Sequence, residues 1–116
     1  MAKTFTWFLQ KPHRVEAEVG PVYRLDKNYS LVTAWVHAKI GPNDTPVQID
    51  ILAEDSLGTR TSIFESGAYL ALGVPQDGAK ETRFASVVLE EGYWLSVDVI
   101  SVDGTVGDLT IGLEVE

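Results

Sequence analysis

Apolar and polar residues alternate with a period of two along most of this chain, a pattern that points successive side chains to opposite faces of an extended strand. The clearest case is the C-terminal pair of segments, Tyr93-Trp94-Leu95-Ser96-Val97-Asp98-Val99 and Leu109-Thr110-Ile111-Gly112-Leu113-Glu114-Val115, joined across Asp103-Gly104-Thr105-Val106-Gly107-Asp108. Leu95, Val97 and Val99 fall on one face, and Leu109, Ile111, Leu113 and Val115 on the matching face of the return strand. The two segments therefore predict a hairpin built into a sheet, with the polar set in solvent. From Leu31 to Ile40, parity puts Val32, Ala34, Val36, Ala38 and Ile40 in the core and Leu31, Thr33, Trp35, His37 and Lys39 outside. A Trp and a His on a polar face predict cover by a second layer or a partner. Val47, Ile49 and Ile51 read as inward, and Gln48, Asp50 and Leu52 as outward. At Val99-Ile100 the apolar parity shifts to Ile100 and Val102, as at a β-bulge or in a strand buried on both faces.

Turn signals punctuate these runs at Gly20-Pro21, at 41–46 (Gly-Pro-Asn-Asp-Thr-Pro), at Asp55-Ser56-Leu57-Gly58, Ser66-Gly67, 73–78, Glu90-Glu91-Gly92 and Asp103-Gly104. Such close spacing predicts many short strands. They read as 4–9, 15–19, 22–25, 31–40, 47–52, 59–64, 69–72, 82–89, 93–102 and 108–115. No segment has sustained helical spacing. The fold class is all-β: an antiparallel β-sandwich, jelly-roll-like, in one domain, with an immunoglobulin-like key reading alike at this level.

The 116 residues suit one domain with a self-sufficient core, and 45% hydrophobic content excludes a disordered tail. Cysteine is absent, which excludes thiol chemistry and a disulfide frame. No apolar run approaches the roughly 20 residues of a membrane helix, and the N-terminus carries no small-residue cleavage pattern. The expected place of synthesis is the cytoplasm. Charge changes the picture more: residues 1–40 hold six basic side chains against three acidic, whereas the remainder holds three against fourteen, within a net charge of −8. Such asymmetry can steer one end of a subunit toward a neighbour. A nucleic-acid partner is disfavoured, because phosphate binding needs clustered cations.

Candidate chemistry is sparse. Only His13 and His37 are available as the base of a nucleophilic triad, and neither sits in a motif. The carboxylate pairs Glu90-Glu91 and Glu54-Asp55 read as solvated turn residues. Asp98, Asp103 and Asp108 offer hard oxygen ligands for calcium at one end of the last hairpin, without EF-hand spacing. Trp35, Tyr93 and Trp94, with Trp7-Phe8 and Tyr69, offer a sugar-stacking platform. Phe5, Trp7 and Phe8 lie within four residues, beside Lys3 and Lys11. They predict a contact element in an N-terminal segment, 1–22, preceding a sandwich domain, 23–116. Deletion of 1–11 is then expected to abolish association while leaving the β structure intact.

The order of the later segments resembles a small β-sandwich domain of bacteriophage virions, found in head-decoration proteins and tail appendages. The resemblance rests on the strand from Leu31 to Ala38 running into Gly41-Pro42, then Val47-Gln48-Ile49-Asp50-Ile51, 58–64, 69–73, and above all 89–99 followed by 107–115. It implies a non-enzymatic virion protein without a cofactor, a capsid decoration or cement subunit that binds the major capsid protein or other virion proteins. A homo-oligomer, with a trimer favoured, and location in the virion after synthesis in the host cytoplasm are also implied. A tail-associated or glycan-binding module is the alternative. The expected partner-contact residues are Phe5, Trp7, Phe8, Trp35, His37 and Trp94.

Overall fold

The computed structural model describes residues 2–116, and among them no helix occurs. The strands are β1 (Lys3–Leu9), β2 (Tyr23–Arg24), β3 (Tyr29–Ala38), β4 (Val47–Glu54), β5 (Arg60–Ser62), β6 (Leu70–Leu72), β7 (Gly78–Glu81), β8 (Val88–Leu89), β9 (Trp94–Ser101) and β10 (Leu109–Val115). They form two five-stranded antiparallel sheets. The first has the order β1-β10-β3-β7, with β8 also beside β3; the second runs β2-β9-β4-β5, with β6 also beside β4. The chain thus pairs as one long double strand, β1 with β10, β2 with β9, β3 with β7 and β8, β4 with β5 and β6, which is then rolled so that β3 meets β10 and β4 meets β9. That is jelly-roll order, and it decides against an immunoglobulin-like key.

The inner faces carry the alternating apolar set. Val47, Ile49, Ile51, Leu95, Val97 and Val99 of the second sheet oppose Leu109, Ile111, Leu113 and Val115 of the first, all buried. Burying this area is the main force holding the sheets together. The last two long strands nevertheless do not form the expected hairpin. β9 pairs with β4 and β2 whereas β10 pairs with β1 and β3, so the segment 102–108 crosses from one sheet to the other. Alternation specifies which face is buried and leaves the hydrogen-bonding neighbour open.

Two parity shifts appear. In β3, Tyr29 and Leu31 are buried with Ala34, Val36 and Ala38, while Val32 is exposed, as is Ile40 past the end of the strand, reversing the expected role of these last two residues. The register jump between Glu114 and Val115 opposite Thr33 and Leu31 inserts a bulge that swaps the faces. The bulge expected at Val99-Ile100 is present, since Ile49 faces Val99 and Gln48 faces Ser101. The strand expected over 82–89 is reduced to β8, and Gly78–Glu81 takes the place beside β3. Phe64 and Phe84, stacked at 5.8 Å, bridge the two sheets on this side.

The N-terminal segment is part of the sandwich, which corrects the boundary at residue 22. All seven residues of β1 pair with β10. Trp7 is fully buried, packs edge-on against Tyr23 at 5.3 Å and donates its indole N–H to the Pro21 carbonyl at 2.8 Å. The Tyr23 hydroxyl in turn donates to the Thr6 carbonyl at 2.6 Å. The following stretch straps onto β9: Glu16 and Val99 exchange backbone hydrogen bonds, and Val19 N–H donates to the Val97 carbonyl at 2.9 Å. The radius of gyration, 13.5 Å, is close to the roughly 13 Å of a packed chain of this length, so among the described residues no arm projects.

Candidate functional site

Surface recognition is left to the two outer faces and the loop ends. On the first sheet, cross-strand neighbours define three outward rows: Thr4, Glu114 and Thr33; Thr6, Gly112, Trp35 and Lys80; Phe8, Thr110, His37 and Gly78. Trp35 is half-buried because its indole lies on the Gly112 backbone. A Cβ at residue 112 would sit 2.1 Å from Trp35 Cε2 and 2.4 Å from Nε1, so only glycine permits this pose. Beside the indole runs a shallow groove of about 380 Å³ lined by Trp35, Val36, His37, Gly78, Ala79 and Lys80.

On the second sheet, Asp50 and Asp98 are direct cross-strand partners. Arg60 donates from Nη2 to Asp98 Oδ1 at 2.7 Å and to Ser96 Oγ at 2.8 Å. The Glu18 backbone N–H reaches the same Asp98 oxygen at 2.9 Å, with Glu18 in a left-handed conformation (φ 51°). Arg60 Nε, 3.7 Å from Glu18 Oε1, is buried without a hydrogen-bond partner. Ser62 Oγ donates to Asp50 Oδ1 at 2.6 Å. Burial holds the Asp50 carboxyl above its ordinary value against that hydrogen bond, and the Asp98 charge adds to the rise. The cluster ties the N-terminal strap, β5 and β9 together, and Asp98 spends its lone pairs on this clasp.

The six expected contact residues separate. Phe5 and Trp7 are core side chains, 5% and 0% exposed, and are corrected as such: β1 turns its odd positions inward. Phe8, on the opposite face of β1, is 72% exposed and shares a row with His37, next to Trp35. Trp94, 41% exposed, lies on the outer face of the other sheet, opposite Glu54. Trp35 and Trp94 therefore do not share a platform, and Tyr93 lines a third place, a groove of about 310 Å³ beside Thr61, Ser86 and Val88. The calcium trio also separates. Asp103 binds the backbone N–H groups of Asp44, Thr45 and Thr105, Asp108 binds that of Lys11, and Asp98 binds Arg60. Among the described residues no group of three His, Cys, Asp or Glu is placed to hold a metal ion.

The charge blocks of the sequence do not become two ends of the molecule. Lys3 lies where β1 begins, opposite Val115, while Lys11 and Lys39 both bond Asp108 through their backbone at the far end. Sequence reasoning passed over Arg60 and Lys80. Both stand on short strands, β5 and β7, whose pairing neighbours the local sequence does not announce, and only the outward parity of Asp50 and Asp98 pointed at the clasp. Exposed apolar side chains stand at both ends: Phe8 and Ile40 lie beside the start of β10, and at the other end Leu57, 88% exposed, tips the β4–β5 turn, which Asp55 Oδ1 holds by accepting from the N–H groups of Leu57 and Thr59. Val88 and Trp94 are also exposed near this end.

No protein-family model matches the sequence, and no curated protein matches it. Among solved structures, a chain of the capsid of Ralstonia phage GP4 superposes over 99% of this chain and 83% of its own length, with a TM-score of 0.62 at 16% identity. The shared fold therefore spans nearly all of this chain. A serine protease of Aeromonas sobria and a Clostridium thermocellum endo-1,4-β-D-xylanase align at 9% identity with TM-scores of 0.38 and 0.32, covering 27% and 24% of those chains. Likeness at that level carries no weight for fold or function.

Proposed function

We propose that this chain is a non-enzymatic structural protein of a bacteriophage virion, a decoration or cement subunit that binds the assembled head lattice and stabilises it. The observation that carries the reading is the fold likeness, over nearly all of this chain, to a chain of a phage capsid. The chemistry agrees: the polar cluster of the second sheet is consumed in clasping strands, and Leu57, Val88 and Trp94 offer exposed apolar side chains at one end. Apolar burial at that end against the major capsid protein supplies the association energy, while the acidic remainder stays in water. Binding to the assembled lattice and not to free subunits stabilises the shell by mass action. A trimer around each site of attachment covers the free sheet edges.

The test is co-sedimentation of the purified protein with heads stripped of it, followed by thermal disruption. Binding that saturates at a lattice-symmetric copy number and delays disruption supports the proposal. Failure to bind heads, with binding to purified tails instead, overturns it in favour of a tail-associated role.

A further inference from the structure

We infer that the outer face of the first sheet carries a carbohydrate subsite, with Trp35 as the stacking platform and an acidic oligosaccharide as its ligand. The inference does not rest on the virion reading, since it concerns a face other than the Leu57 end. Trp35 lies flat over Gly112, so one face of the indole is covered by backbone and the other is turned outward. Covering a sheet glycine with an aromatic ring is a stabilising device in its own right. It accounts for the inner face of the ring and leaves the chemistry around its outer face to be explained.

That chemistry is consistent. Lys80 is the cross-strand neighbour of Trp35 on one side, and His37 stands in the next row beside Gly78, whose missing side chain keeps the groove open. Among the described residues, the side chains of Trp35, His37 and Lys80 make no hydrogen bond and no ion pair with the rest of the chain. An aromatic face bordered by unpaired donors fits a ligand with an apolar C–H face and many acceptor oxygens, which describes a pyranose ring. Thr6, Thr33 and Thr110 add hydroxyls in the same and flanking rows, and Phe8 extends the apolar surface along the His37 row. Local charge selects an acidic sugar: Lys80, across Trp35 from Gly112, is a cation against the groove with no ion-pair partner among the described residues. Glu114, one row away on the flank opposite His37, is placed to accept from a hydroxyl. A protein partner fits less well, since interface cores are depleted of lysine and this groove has one in its lining.

The experiment uses the full chain, an array of acidic and neutral bacterial polysaccharide fragments, and trigalacturonate against maltotriose in solution. Binding is read from the indole N–H resonances of Trp7, Trp35 and Trp94. The expected result is array binding confined to acidic glycans, movement of the Trp35 resonance alone, and a loss of about tenfold or more in affinity on Trp35→Ala. Lys80→Ala, an exposed change that leaves the core untouched, narrows the preference for acidic over neutral ligands. Should Trp35→Ala not fold, Trp35→Phe and Lys80→Ala carry the same comparison. No binding across the array, or binding indifferent to these changes, overturns the inference. Loss of head binding by Trp35→Ala in a protein that binds no glycan also overturns it and makes this face a protein contact.

Discussion

Trp7 and Phe8 are neighbours on β1 with opposite fates, and truncating each to alanine measures how the N-terminal strand is used. Trp7 is fully buried, packed against Tyr23 and bonded to the Pro21 carbonyl, whereas Phe8 is 72% exposed. Removing a buried Trp side chain costs about 3–5 kcal/mol in lost transfer energy and cavity. Leaving the Pro21 carbonyl without its donor adds about 1 kcal/mol where water does not reach it. Against the roughly 5–15 kcal/mol that holds a domain folded, Trp7→Ala removes a large share of the total. Phe8→Ala, away from the core, changes stability by about 0.5 kcal/mol or less. Urea unfolding followed by far-ultraviolet circular dichroism compares the two, with a lower midpoint at unchanged slope expected for Trp7→Ala. Equal losses in the two variants, or a Trp7→Ala loss under about 1 kcal/mol, refute the inward placement of β1.

Asp50→Asn should stabilise the protein at pH 7. Burial raises the folded-state pKa of Asp50, so the folded state holds its proton more tightly than the unfolded state, and stability rises as pH falls through that range; the gain from Asn should vanish in acid. Glu81 shows the opposite sign: its hydrogen bond from Arg83 lowers it from 4.5 to about 2, so its contribution is present above about pH 4.5 and lost on acidification toward 2. Acid-unfolding profiles of Glu81→Gln should accordingly be flatter in that window than those of the parent. Gly112→Ala should displace the Trp35 ring and cost about 1–3 kcal/mol by overpacking, read as a lower melting temperature together with altered indole fluorescence.

The layers of this fold are legible residue by residue. Ile49, Ile51, Leu95, Val97, Ile111 and Leu113 all fall on the face that their period-two pattern assigns, because each has a polar residue on at least one side that pins the parity. Pairing is a different kind of information. Val97 and Ile111 are both buried but belong to opposite sheets, and an alternating pattern reads the same whether its neighbour is beside it or opposite it. The N-terminal aromatics misled for a related reason. Phe5, Trp7 and Phe8 form a dense apolar cluster in the sequence, but Phe5 and Trp7 share a face and Phe8 takes the other, so the cluster is two core residues and one surface residue. Gly78-Ala79-Lys80-Glu81 becomes a strand through its ladder with β3, with no local propensity to announce it. Trp35 and His37 were legible as outward, yet the glycine that lays the indole flat is 77 positions away in the sequence and enters only through the β10–β3 register.

A cryo-electron-microscopy map of the parent particle, with copy number from quantitative mass spectrometry of the same preparation, tests the proposed role most directly. The account predicts this two-sheet body seated on the head shell by the end that carries Leu57 and Trp94, in copies that follow the shell's symmetry. Absence from purified particles, or a handful of copies confined to the tail, contradicts it.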